Sequence, residues 1–267
     1  MAAHGQRLWL IAGTGEGPLL ARIFLQRGWR VRVSVVTAPA GHAYPLHPKL
    51  EIQVGALEGA TALKGALEEA ERAGRAFRWL IDASHPFASR ITSAAVEATR
   101  NRPERVLRLQ RPPLLAPSAF PLQTMDDLSC HLEGGERLLL AIGARQLRVA
   151  AQQGARAILH ARVLPQPQAL QQALAAGLDP SRIACVRPTG EGLVEEALCR
   201  LWQIDTLLCR QSGGLTERVW LGIAQRLGLR LLLLQRPCEP VELAQLPFAE
   251  LVEHVGWPEP TDPHGTP

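Results

Sequence analysis

The sequence predicts an α/β protein built as two halves, each a mainly parallel sheet wound with crossover helices. Three observations predict it. Apolar, strand-like runs alternate with helical patterns almost to the end of the 267 residues, as crossover helices between parallel strands require. The run Leu8-Trp-Leu-Ile-Ala12 passes straight into the glycine turn Gly13-Thr-Gly-Glu-Gly17 and then into a helix. The stretch Gln110-Arg-Pro-Pro-Leu-Leu-Ala-Pro117 can continue neither a strand nor a helix, and beyond it the plan repeats. The expectation is two Rossmann-like domains, residues 1–112 and 113–255, with a cleft between them and a polar, Pro-rich, disordered tail over 256–267.

In the first half the apolar run Leu8–Ala12 is a strand. The helix Pro18–Arg27 follows, with proline in its first turn, where the missing N–H has no partner to lose. Alternation marks Arg30–Val36 as a strand, and a Pro-, Gly- and His-rich loop separates it from a short strand near Ile52. Helix Ala60–Ala73, strand Trp79–Asp82, helix Ala88–Arg100 and strand Arg105–Leu109 complete this half. The second half reads as strand Arg137–Ile142, helix Gln146–Gln153, strand Ala157–Val163 and helix Gln168–Ala176. Strand Arg182–Val186, helix Leu193–Trp202, strand Thr206–Cys209, helix Thr216–Leu227 and strand Arg230–Leu234 follow.

Composition narrows the function classes. The longest apolar runs, such as Leu231-Leu-Leu-Leu234, are far shorter than the ~20 residues of a membrane helix, and no signal peptide precedes the first strand. Five scattered cysteines without a C-x-x-C pair suit unpaired thiols in a reducing cytoplasm, and no metal site is expected. Lys49 and Lys64 are the only lysines among 29 basic residues. That bias is either genomic or a sign of carboxylate and phosphate binding, for which the planar arginine fork is suited. The arginines are spread along the chain and few aromatics interleave with them, so nucleic acid is not an expected partner. Oligomeric state is not legible.

Five loops carry candidate chemistry, each at the carboxyl end of a strand, where ligands of such sheets sit. Gly13, Thr14, Gly15 and Glu16 form a strand-to-helix turn whose free amides and helix dipole suit the phosphates of a nucleotide cofactor. The spacing is G-x-G-x-G rather than G-x-G-x-x-G, and a simple packing turn is the alternative. Strand Arg30–Val36 ends in Thr37-Ala-Pro-Ala without the acid that selects NAD, which favours NADP with Ser34 and Thr37 as phosphate donors. In Asp82-Ala-Ser-His-Pro-Phe-Ala-Ser89, either Ser84 or His85 caps the next helix, or His85 faces the ligand as a donor or proton relay. Ser212, Gly213 and Gly214, preceded by Arg210, form a second anion cradle or else a turn with a cap. Gly143 with Arg145 is a less specific loop of the same kind. No nucleophile, carboxylate pair or metal cluster is legible, which is compatible with hydride transfer, where the cofactor carries the chemistry.

Several segments together resemble the precorrin-6A reductase family of cobalamin biosynthesis. They are Ala12–Gly17, Asp82–Ala88, Leu107–Pro112, Ile142-Gly143, Ala161–Pro165, Ser212–Gly214 and Gln235–Pro237, with Asp82–Ala88 the most specific. The resemblance implies a two-domain enzyme that uses NADPH to reduce one double bond of precorrin-6A, or its cobalt counterpart, to the 6B form. The small-molecule partner is then a tetrapyrrole whose ring of carboxylates arginines can bind. On this reading Gly13, Thr14, Gly15 and Glu16 hold the cofactor, while Ser84, His85, Arg210, Ser212, Gly213 and Gly214 face the substrate or the nicotinamide. The chain departs from the family's pattern at Arg210-Gln211, where a lysine is usual, and at Thr37–Gly41, which lacks an arginine. Two rival readings are a non-redox enzyme of the uroporphyrinogen-III synthase type and a non-catalytic NADP(H) sensor.

Overall fold

The computed structural model describes residues 6–188 and 190–259. In chain order the elements are β1 (Arg7–Ala12), α1 (Glu16–Gln26), β2 (Arg30–Val35), α2 (Ala38–Gly41), β3 (Leu50–Val54), α3 (Gly59–Arg72), β4 (Trp79–Ala83), α4 (Ser89–Thr99) and β5 (Arg105–Gln110). Then come β6 (Phe120–Leu122), β7 (Arg137–Ala141), α5 (Leu147–Gln153), β8 (Ile158–Val163), α6 (Pro167–Ala175), β9 (Ile183–Cys185), α7 (Leu193–Leu201), β10 (Thr206–Arg210), α8 (Leu215–Leu227) and β11 (Arg230–Leu234). The last two are β12 (Gln245–Pro247) and α9 (Phe248–Val255).

The chain divides into two compact units, one holding the residues up to Arg111 together with those from Pro237 onward, the other Pro112–Arg236. The first unit's sheet has the order β12-β5-β4-β1-β2-β3 and the second's β6-β11-β10-β7-β8-β9, with every pair parallel. Each is therefore a doubly wound sheet of the same order, with its sixth strand exchanged. β6 follows the first unit's five strands in the chain but joins the second sheet, and β12 does the reverse.

This exchange corrects the expected second domain of 113–255. Residues Pro237–Val255 belong to the first unit, where β12 lies beside β5 with Leu246 opposite Leu109, and α9 buries Leu251, Val252 and Val255 in its core. Phe248, Leu251, Val252 and Val255 recur at the helical spacing of one apolar face, so that signal was present in the sequence. Part of the expected tail packs on the first unit. Gly256–Glu259 lie on the first unit, where Trp29 Nε1 donates to Gly256 O at 2.9 Å and Arg78 pairs with Glu259. Residues 260–267 of the expected disordered tail lie outside the described residues.

Alternation along the strands sets the two layers of the first unit. Leu8 and Leu10 pack with Leu20, Phe24 and Leu251 on one face. Trp9 and Ile11 pack with Leu63, Leu67 and Ala95 on the other. Burial on both faces explains why β1 is apolar from Leu8 onward rather than alternating. In the second unit Leu207, Cys209, Leu231 and Leu233 meet Trp220, Ile223 and Cys199 from α8 and α7.

Candidate functional site

In the first unit the strand order reverses between β1 and β4, where open α/β sheets bind their ligands. Ala12 and Ala83 are paired at the ends of these strands, so the loops that follow run side by side. A Cβ on Gly13 would lie 3.5 Å from Ser84 Cα and from His85 N, so the glycine permits this approach. Thr14 Oγ1 donates to Ala83 O at 3.1 Å and ties the two loops together. Helix α1 starts at Glu16, two residues before the expected Pro18, and Gly15 caps it. In its first turn Gly17 N donates to Thr14 O at 3.2 Å and Pro18 carries no N–H, so the amides a ligand could meet are those of Gly15 and Glu16. Gly15 has ordinary helical angles, and nothing lies within 4 Å of where its Cβ would be.

Gly17 differs in kind. A Cβ there would stand 2.5 Å from Tyr44 Oη and 3.0 Å from Ala12 Cβ. Gly17→Ala is therefore expected to lower stability by about 1–3 kcal/mol through overpacking. Urea unfolding measures this, and an unchanged midpoint would show that Tyr44 swings aside.

Arg111 is the principal residue the sequence reading passed over. Its buried guanidinium donates to Glu16 Oε1 at 2.8 Å, Thr14 Oγ1 at 2.6 Å, Ser84 O at 3.1 Å and Ala83 O at 3.3 Å. Burial by itself would raise the Glu16 carboxyl, but the hydrogen bond and charge of Arg111 outweigh it and hold Glu16 below its ordinary value. The Glu16 side chain is thus engaged with Arg111 and also takes a hydrogen bond from its own backbone N–H.

The Asp82–Ser89 loop is organised from below by a buried ionic cluster. Asp82 accepts from Ser84 N at 2.9 Å and Thr92 Oγ1 at 2.8 Å, and pairs with Arg108. Arg108 Nε also donates to Glu239 Oε1 at 2.7 Å, a group carried by the segment that returns to this unit. Ser84 is buried, with its hydroxyl 3.4 Å from Arg108 Nη1, on the side of the cluster. Neither Ser84 nor His85 caps the next helix. α4 begins only at Ser89, after a turn closed by Ala88 N donating to His85 O at 2.8 Å. His85 Nδ1 accepts the Phe87 N–H at 3.2 Å, which leaves the proton of a neutral ring on Nε2.

At the end of β2 the two expected phosphate donors part company. Ser34 is buried, accepts from Trp9 Nε1 at 2.8 Å and lies 3.4 Å from Gln53 Oε1, so its hydroxyl is committed within the protein. It sits inside the strand rather than past its end. Thr37, partly exposed, stands before α2 with no cap hydrogen bond from its side chain.

The second unit reverses its strand order between β7 and β10. Gly143, at φ +81°, leaves room for Arg210, whose Nη2 would lie 3.2 Å from a Cβ at that position. Burial, with Arg145 adding repulsion, lowers Arg210 to about 10. The expected cradle is already filled: Gly213 N donates to Glu217 Oε2 at 2.5 Å. Burial raises the Glu217 carboxyl against the opposing pull of the Gly213 and Ser212 amides. A glutamate in the first turn of α8 thus takes the place of an outside anion, as in a capping box. Ser212 is buried beside it, and Gly214 is extended. A cavity of about 560 Å³ opens at the ends of β10 and β11, lined by Pro113, Leu114, Leu115, Leu233, Gln211 and Gln235.

Among the described residues no three His, Cys, Asp or Glu side chains gather to hold a metal, and no helix is long and apolar enough to cross a membrane.

The chain matches the family model "Precorrin-6x reductase CbiJ/CobK" over residues 7–256. It is 34% identical over 240 residues to the cobalt-precorrin-6A reductase of Synechocystis sp., covering 86% of this chain and 88% of that one. It is 29% identical over 247 residues to the precorrin-6A reductase of Mycobacterium tuberculosis, covering 89% and 92%. Among solved structures, "CobK precorrin-6A reductase" superposes with a TM-score of 0.74 at 23% identity, over 95% of this chain and 99% of that one, which bears on the fold.

Proposed function

Because this chain belongs to the precorrin-6x reductase family CbiJ/CobK, we propose that it reduces one double bond of precorrin-6A, or of its cobalt-bound counterpart, to the 6B form with NADPH. The observation that carries the cofactor is the start of α1, with open space at Gly15 and a charge-paired carboxylate beside it. The residues present therefore fit a diphosphate. Gly13, Thr14 and Gly15 would hold it together with the Glu16 amide, and Thr37, hydroxyl-bearing and partly exposed past β2, would meet the 2′-phosphate. NADPH, when bound, supplies the hydride.

The protein's own contribution is positioning, which can supply most of the barrier reduction once reacting groups are held in line. His85 would present Nε2–H as a donor beside the cofactor loop. Arg210 would offer a cation to the carboxylates of the macrocycle. The apolar cavity past β10 and β11 suits the macrocycle's flat flank, with Gln211 and Gln235 among its lining. The five cysteines, none of them paired in a disulfide, suit a cytoplasmic enzyme.

The test is turnover with metal-free and with cobalt-bound precorrin-6A. NADPH oxidation is expected only when one of them is added, with one NADPH consumed per product. A chain that binds NADPH but turns over neither macrocycle would be a sensor. One that turns over a linear tetrapyrrole without NADPH would be a cyclase.

A further inference from the structure

Glu16 places a carboxylate in the first turn of α1, and the inference drawn from it rests on the dinucleotide reading given above. A diphosphate at that turn would meet a like charge at the same helix end, where dipole and amides otherwise attract it. Arg111 lies against this carboxylate with two nitrogens, Nε 2.8 Å from Oε1 and Nη2 3.4 Å from Oε2. The same guanidinium holds Thr14 Oγ1 and the carbonyls of Ala83 and Ser84, so it stands at the base of both loops of the switch point. Only 6% of Arg111 is exposed. A cation so placed needs a counter-charge, because burying an unpaired guanidinium is costly.

We propose that Arg111 is a positioning residue of the dinucleotide site: it cancels the charge of Glu16 at the start of α1. Helix α1 then offers a phosphate its dipole and amides without a repelling carboxylate. The pair thus has a division of labour. Glu16 lets a guanidinium reside under the loops, and the guanidinium makes that glutamate harmless to an anionic ligand.

The test is NADPH fluorescence titration of the full chain and three variants at low ionic strength. Glu16→Gln is expected to bind NADPH at least as tightly as the unaltered protein, since it leaves a net cation near the phosphates. Arg111→Met is expected to bind about tenfold more weakly, through the uncovered carboxylate. The double variant Glu16→Gln/Arg111→Met is expected to return to within about threefold of the unaltered protein, both charges being gone. Added salt is expected to narrow the deficit of Arg111→Met, because it screens repulsion.

A pair that merely staples the loops would weaken binding in all three variants, the double no less than Arg111→Met, and that pattern overturns the proposal. Should Arg111→Met fail to fold, Arg111→Lys loses the planar fork but keeps a positive charge beside Glu16, and is expected to bind within about threefold of the unaltered protein. A tenfold loss there overturns it equally. If the unaltered chain binds no NADPH at millimolar concentration, the functional reading falls and this inference with it. If it binds and the double variant stays as weak as Arg111→Met, this inference alone falls.

Discussion

Gly15→Val is expected to weaken NADPH binding by about a hundredfold or more while leaving the melting temperature within about 2–4 °C of the unaltered protein. The reasoning separates what the fold needs from what a ligand needs. Gly15 has φ −64° and ψ −18°, angles that any residue adopts, and open space where its Cβ would stand. The protein itself therefore has little use for a glycine there, beyond the roughly 1 kcal/mol by which an N-cap glycine is preferred to an aliphatic residue. Valine would project two methyl groups over the amides of the first turn and hold a phosphate away from them. Losing two charge-assisted hydrogen bonds, each worth about 1.5–3 kcal/mol, gives the stated loss. Titration and thermal melting on the same sample decide it. Normal NADPH binding by the valine variant would remove the phosphate from this turn. A large fall in melting temperature would instead mean that the space is needed by the protein. Gly17→Ala provides the contrast, since there the loss falls on stability, through Tyr44.

Arg108→Met is expected to destabilise the first unit by about 3–5 kcal/mol, because it strands a buried carboxylate. Asp82 is wholly buried and Arg108 nearly so, at 2% exposure. With the guanidinium gone, Asp82 keeps the Ser84 amide and the Thr92 hydroxyl but has no counter-charge. At about 2–4 °C per kcal/mol the melting temperature falls by roughly 10 °C. Glu239 loses its partner as well, so β12 and α9 are expected to lose amide exchange protection ahead of β1 and β4. The double variant Asp82→Leu/Arg108→Met is expected to recover part of the loss, since no buried charge remains. A single variant that loses under about 1 kcal/mol would contradict a dry, paired cluster and point to water reaching it.

The glycine turns show how far local pattern carries. The strand, turn and helix over Leu8–Gln26 were legible because apolar run, glycine and proline each act within a few residues. The separate roles of Gly15 and Gly17 were not, because Tyr44 and the space before α1 are set by tertiary packing. Ser34 failed as an expected donor for the same reason: Trp9 lies on the neighbouring strand at a register that no linear spacing announces. Ser212 and Gly213 were legible as an anion cradle, and Glu217, four residues past Gly213, is the anion. The acid stands three residues past Gly214, the N-cap of α8, which is capping-box spacing, so this part was within reach of the sequence.

By itself the sequence determined the succession of parallel strands and crossover helices, because burial on both sheet faces leaves its mark every second or every third to fourth residue. It also determined which strand ends carry glycine and polar loops. Tertiary structure alone decided that β6 and β12 exchange sheets, and which loop groups are already engaged. The partners involved lie far apart in the chain: Arg111 and Glu16 are 95 residues apart, Arg108 and Glu239 131. Edge-strand pairing and buried charge pairing depend on what stands opposite in space, and three-residue strands such as β6 and β12 are too short to carry a period of their own.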